Sequence, residues 1–269
     1  MALALDGTPQ TGIASSTNTV AISTGLTYSN AGDIIVVQVG AEWPTSAGAT
    51  GAGSVSTVTS TSGLTFYKRS AVSGGQAWGG VNNSAYGDCE LWWAYAAAAH
   101  SADVITVVFN AAPHSTGTGV LDDATITAFA VTGFTGTAYQ TAPWDSNVSI
   151  PTTAQAQYIS AAFSTTGTST TSASGMLISS WGGTVGTPYS STPSGWNSIA
   201  VPLNNGGAYD FQLAASYLVY SSSQSSLTVT WPAGSQVSYL LATDALAQAG
   251  GAAAVAKPRQ AKLKQYLRR

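Results

Sequence analysis

The sequence predicts an all-β protein. It is read as two tandem antiparallel β-sandwich units of jelly-roll type, either separate or sharing one core, with a short basic C-terminal tail. Three observations predict this. Apolar residues alternate with period two in short runs bounded by Gly, Ser, Thr, Asn and Pro. Five such segments recur in the same order in the second half of the chain. Six of the eight Lys and Arg residues stand in the last thirteen positions.

The strands are argued one by one from parity. In Asp33–Trp43 (DIIVVQVGAEW), Ile35, Val37 and Val39 point one way. In Cys89–Ala96 (CELWWAYA), Leu91, Trp93 and Tyr95 oppose Glu90 and Trp92. In Asp103–Ala111 (DVITVVFNA), Ile105, Val107 and Phe109 share a face, and in Ser226–Trp231 (SLTVTW), Leu227, Val229 and Trp231 oppose two threonines. Thr, Val, Ile, Tyr and Trp suit a pleated, half-buried surface. No amphipathic helix is expected before residue 245.

The repeat pairs these segments. VAISTGLTYSNAGDIIVVQVG (Val20–Gly40) matches AAFSTTGTSTTSASGMLISSWGG (Ala161–Gly183). TSGLTFYKRSAV (Thr61–Val72) matches PSGWNSIAVPL (Pro193–Leu203), and CELWWAYA matches FQLAASYLVY (Phe211–Tyr220). DVITVVFNA matches SLTVTWPAG (Ser226–Gly234), and ATITAFAVTGF (Ala124–Phe134) matches SYLLATDALA (Ser238–Ala247). The chain therefore divides into a first unit at 1–134, a linker loop and second unit at 135–249, and a linker with a basic segment at 250–269. Strands are expected over roughly 13–135 and 150–248, with Thr135–Ser149 as the joining loop.

Composition narrows the function. Hydrophobic residues reach 44% and aromatics 10%, so the chain folds and is not disordered. Charged residues are only 7%, against roughly 25% in ordinary globular proteins. Ser, Thr, Ala and Gly make up 142 of the 269 residues. No apolar run is long enough to span a membrane as a helix. The opening MALALDGTPQ lacks a basic n-region and a long apolar h-region, so it is not expected to be a Sec signal peptide. The single cysteine, Cys89, excludes an intrachain disulfide framework.

The charge is unevenly placed. Residues 1–256 hold two basic and eleven acidic residues, a formal −9, and residues 257–269 carry +6. The tail KPRQAKLKQYLRR combines the cations Lys257, Arg259, Lys262, Lys264, Arg268 and Arg269 with an apolar stripe of Leu263, Tyr266 and Leu267. That combination favours docking on a protein partner. Nucleic-acid binding is the lesser expectation, because only Lys68 and Arg69 could extend a basic patch over the body.

The strand–turn–strand pairs, above all SGLTFYKRSAV, CELWWAYA, DVITVVFNA and ATITAFAVTGF in that order, resemble the low-charge, Ser/Thr/Gly/Ala-rich β-sandwich proteins of tailed-bacteriophage virions. Those are capsid decoration proteins, head fibres and tail-fibre domains. The resemblance covers about residues 15–248 and lies in style and strand order. It implies a virion structural role; with the missing signal peptide and the basic tail, the expectation is a non-enzymatic, homo-oligomeric virion protein made in the host cytoplasm and attached through that tail to other capsid or tail proteins. It transfers no catalytic residue, and the basic tail is not part of it.

Catalytic readings are weaker. His100 and His114 sit beside turns and are expected to be exposed loop histidines. Glu42, Glu90, Asp122 and Asp123 are the carboxylates available for a glycosidase pair, with strand-end solvation as the plainer reading. Asp122–Asp123 lacks the alternating spacing of a calcium loop. Too few Cys and His are present for a structural zinc site, so neither metal nor cofactor is predicted. Cys89 shares parity with Leu91 and Trp93 and is read as a small buried hydrophobe. The alternative function is a carbohydrate- or receptor-binding module that meets a host glycan through loop tryptophans. Trp43, Trp78, Trp144 and Trp196 lie in or beside Gly/Ser/Asn-rich loops and are the candidates.

Overall fold

The computed structural model describes residues 1–15, 17–44, 54–78, 85–110, 123–185, 190–204, 210–232 and 237–249. All described sheets are antiparallel. Among the described residues the one helical element is a 3-10 turn at Ala138–Gln140.

The first half runs through β1 (Ala4–Ser15), β2 (Thr19–Ala21), β3 (Leu26–Tyr28), β4 (Asp33–Pro44), β5 (Val55–Ser60), β6 (Tyr67–Trp78), β7 (Ala85–Ala96), β8 (His100–Asp103), β9 (Ile105–Phe109) and β10 (Asp123–Thr132). The second runs through β11 (Thr152–Ile159), β12 (Phe163–Thr168), β13 (Gly175–Val185), β14 (Asn197–Ala200), β15 (Leu203–Asn204), β16 (Asp210–Tyr220), β17 (Leu227–Trp231) and β18 (Val237–Ala247).

The pairing is nested. β1 pairs with β10, β2 with β9, β3 with β8 and β4 with β7. In the second half β11 pairs with β18, β12 with β17 and β13 with β16. Each half thus behaves as one long hairpin whose first strand meets its last. The large sheets have matching orders, β1-β10-β4-β7-β6 and β11-β18-β13-β16-β14. Smaller sheets, β2-β9-β5 and β3-β8 in one half and β12-β17 in the other, complete each half.

Three cores separate four layers. In β4, Ile35, Val37 and Val39 face the small sheets and pack with Leu26, Ile105 and Val107. The opposite parity, Ile34 and Val36, joins Leu91, Trp93, Phe129 and Val131 against Met176, Ile178, Ala215 and Leu246 of the other large sheet. A third core sets Trp181 and Leu241 against Phe163 and Trp231. Each fully buried large aliphatic or aromatic side chain contributes about 1.5–3 kcal/mol. The run IIVVQV is apolar on both parities because β4 is covered on both faces.

The two large sheets approach closely. A Cβ at Gly182 of β13 would lie 2.5 Å from the Cys89 sulfur, and one at Gly40 of β4 would lie 3.0 Å from the Phe211 ring. Cys89 packs against Phe211 and Leu240 at this contact.

Strand β1 begins at Ala4, earlier than the alternation suggested. It is an edge strand with a register shift between Asp6 and Gln10, and most of its side chains are exposed or half-buried, so its residues carry no core signature. The segment 135–149 is also more than a linker: Tyr139 and Trp144 are buried in the core between the large sheets.

Candidate functional site

The two basic residues of the body sit side by side on β6 and serve opposite faces. Lys68 Nζ lies 2.6 Å from Glu90 Oε1. Glu90 also accepts from the Trp92 indole N–H at 2.7 Å and the Val55 backbone N–H at 3.1 Å. Glu90 is therefore buried and committed, which corrects its reading as a solvated strand-end acid. Arg69 turns to the other large sheet: its Nε donates to Asp244 Oδ2 at 2.8 Å and its Nη2 to Oδ1 at 3.1 Å. The same Nη2 reaches the Ile150 carbonyl at 3.5 Å. Burial pushes the Asp244 carboxyl up, and Arg69 draws it only part of the way back, so it stays above the ordinary carboxylate range.

Other acids hold loops. Asp103 accepts from Tyr28, Thr61 and Ser62. Asp145 accepts from the backbone N–H groups of Asn147, Thr171 and Ser172; burial raises its carboxyl, but these bonds win and hold it low. Asp6 likewise binds Ser29 and Asn30. Burial works against its charge, yet its hydrogen bonds bring it down to about 2. Asp33 is pushed up to about 7 by burial and by its neighbour Asp6, and Asp88 up to about 9 by burial and by Glu90. Glu42 and Asp123 stand directly opposite each other in the β4–β10 register, both buried, and Ser15 Oγ donates to Asp123.

His100 is not an exposed loop residue. It opens β8, half-buried, with its ring 6.1 Å from that of Tyr28. His114 and Asp122 lie outside the described residues, as do Lys257, Arg259, Lys262, Leu263, Lys264, Tyr266, Leu267, Arg268 and Arg269. Among the described residues no group of three or more His, Cys, Asp and Glu is placed to hold a metal ion. Among them, too, no helix is long and apolar enough to cross a membrane.

The tryptophan candidates are dispersed. Trp43 and Trp78 stand on the backbones of β4 and β6, and their side chains lie outside the described residues. Trp144 is only 6% exposed and bridges to Leu246, with the Arg69 guanidinium 5.2 Å from its ring. It offers no open face to a sugar, because a cation and the sheet interface cover it. Trp196 is half-buried and packs beside Ile150, Leu177 and Tyr220.

The aromatic surface that is open lies elsewhere. Tyr67, at the start of the edge strand β6, is 54% exposed. Register places it directly opposite Trp93 of β7, with the ring centroids 5.2 Å apart. Gly133 and Gly136, both at positive φ, turn the chain after β10 and bring the 3-10 turn alongside. Tyr139 anchors that turn by stacking on Phe134 at 4.7 Å and meeting Tyr95 edge-on. Gln140 then donates from Nε2 to the Tyr95 hydroxyl at 3.1 Å. Tyr67, Trp93, Gln140 and Thr141 line a groove of about 230 Å³. It can stack a flat apolar face on Tyr67 and hydrogen-bond the ligand's rim.

Sequence reasoning did not find this groove. Trp93 reads as core by parity, and Tyr67 and Gln140 meet it only through strand register and a turn some seventy residues downstream. The one available signal was an aromatic at the head of an edge strand.

No family model matches the chain, and comparison with curated proteins and with solved structures finds no match.

Proposed function

We propose that the chain is a non-enzymatic structural protein of a phage virion, a capsid-decoration or fibre subunit. Its body is two jelly-roll-like sandwiches in tandem, joined through their large sheets, and the basic segment 250–269 attaches it to another capsid or tail protein. The observation that carries the reading is the twice-nested strand path, first strand with last, in matching order in both halves. Jelly rolls of this kind serve viral capsid and lectin domains. The low charge of residues 1–256 supports close packing of copies, and several buried acids act as loop and layer staples rather than as a free reactive pair.

The test is immunodetection of the chain in phage particles banded from the source culture, beside light scattering of the purified protein at two salt concentrations. The expected result is co-banding with particles and a stable homo-oligomer. A chain found only in the soluble fraction, and monomeric at both salts, overturns the proposal. A second reading, a carbohydrate- or receptor-binding module, is favoured by one observation, the open groove at Tyr67 and Trp93.

A further inference from the structure

We infer that the groove between β6, β7 and the turn at Ala138–Gln140 is a binding site for a single neutral pyranose ring of a glycan. The inference rests on the second reading above and not on the assembly role, and it moves the site away from all four loop tryptophans. Four features of the groove carry it.

First, Tyr67 is the one aromatic among the large hydrophobic side chains that the described residues leave strongly exposed, the others being Met1, Ile13 and Val148. A ring left open to water on an edge strand, yet backed by the buried indole of Trp93, is a fixed platform. The C–H face of a pyranose stacks on such a platform. Second, the rim is polar. The Gln140 side chain uses one N–H on Tyr95, which leaves its carbonyl oxygen and second N–H for sugar hydroxyls, and the Thr141 hydroxyl, which donates to the Ala138 carbonyl at 3.4 Å, can still accept from one. Third, the lining side chains among the described residues are uncharged. Lys68 is drawn to the opposite face by Glu90 and Arg69 is paired with Asp244, so among the described residues no free charge at the groove selects an anionic or cationic ligand. Fourth, about 230 Å³ lies below the roughly 300–1,000 Å³ of pockets for drug-sized ligands and suits one ring. A proline-rich peptide also docks on aromatics, but it calls for a strip of successive rings, and here one exposed ring sits beside an amide and a hydroxyl.

The experiment titrates the full chain with methyl glycosides of glucose, galactose, mannose and N-acetylglucosamine and with their β-linked disaccharides. Binding is read by saturation-transfer NMR and by tryptophan emission. At least one sugar is expected to bind saturably in the millimolar range. Tyr67→Ala is expected to weaken it about tenfold or more, Gln140→Ala to weaken it less, and Tyr67→Phe and Trp196→Ala to leave it unchanged. Tyr67 is exposed, so the Tyr67→Ala chain is expected to melt near the parent temperature; should it not, Gln140→Ala and Tyr67→Phe still decide. Saturation by no sugar at tens of millimolar overturns the inference. So does binding lost in Trp196→Ala but kept in Tyr67→Ala, or binding of a proline-rich peptide in place of every sugar. Co-banding with particles and sugar binding are separate readouts, so failure of either is recognised without the other.

Discussion

Replacing Arg69 with alanine tests whether one ion pair fastens the two halves together. Arg69 comes from β6 and Asp244 from β18, and the Asp244 side chain is 1% exposed. Removing the guanidinium leaves the buried Asp244 carboxylate with the Ala245 backbone N–H but without its two charge-assisted bonds, and takes the cation away from the Ile150 carbonyl and the Trp144 ring. Breaking a buried pair by deleting one partner costs about 3–5 kcal/mol. For a chain of this size that lowers the melting temperature by about 6–20 °C. The assay is thermal and urea denaturation of the parent, Arg69→Ala, Asp244→Ala and the double variant. Coupling predicts that the double variant is less destabilised than the sum of the singles. An Arg69→Met, Asp244→Leu pair is expected to recover most of the loss, since a packed apolar replacement needs no desolvated charge. An Arg69→Ala loss below about 1 kcal/mol, the scale of a surface pair, refutes the argument that this contact fastens the layers.

Other outcomes follow from the same contacts. Folded Asp33 and Asp88 hold protons that the unfolded chain releases near the ordinary 3.8, so stability falls as pH rises from about 4 toward 9. Asp6, held low, gives the opposite slope below that range, so melting temperature peaks near pH 4; Asp88→Asn is expected to raise the melting temperature at pH 8 and flatten the upper slope, and a melting temperature that climbs steadily from pH 4 to 8 contradicts this. Gly182→Ala drives a methyl into the Cys89 sulfur and is expected to cost about 1–3 kcal/mol, part of it regained in a Gly182→Ala, Cys89→Ala chain; equal melts for all three disprove the close approach. Lys68 and Arg69 are the tryptic sites before residue 257, and both are strapped within β6, so native protein keeps those bonds for hours; rapid cleavage there, followed by mass spectrometry, counts against the sheet.

Much of the layer pattern was legible because strands impose parity. Ile35, Val37 and Val39 were readable as one face, and Ile105, Val107 and Phe109 as another. That Ile34 and Val36 face a second core was visible only as a run apolar on both parities, and no local rule says which sheet covers it. Charges were misjudged for a different reason. Glu90 alternates with tryptophans as a surface acid does, and its burial depends on Lys68, twenty-two residues upstream and one strand over. Loop position misled at Trp144, because a connecting segment that lies on a core buries its aromatics as a strand does. The groove failed to show because it is assembled by register, Tyr67 against Trp93, and by a turn that follows another strand.

The nesting of strands also dictates when a growing chain can close. β1 waits for β10, so nothing seals the first half until residue 132 has left the ribosome. From that moment all its strands have their partners, but Ile34, Val36, Leu91, Trp93, Phe129 and Val131 form a bare apolar wall until β13, β16 and β18 are made. At about 5–20 residues per second, the remaining stretch to residue 247 takes on the order of 6–23 seconds. During that interval two nascent chains on one message present matching sticky faces. Slowing translation across the second half is therefore expected to raise aggregation, and supplying the second half as a separate chain to lower it.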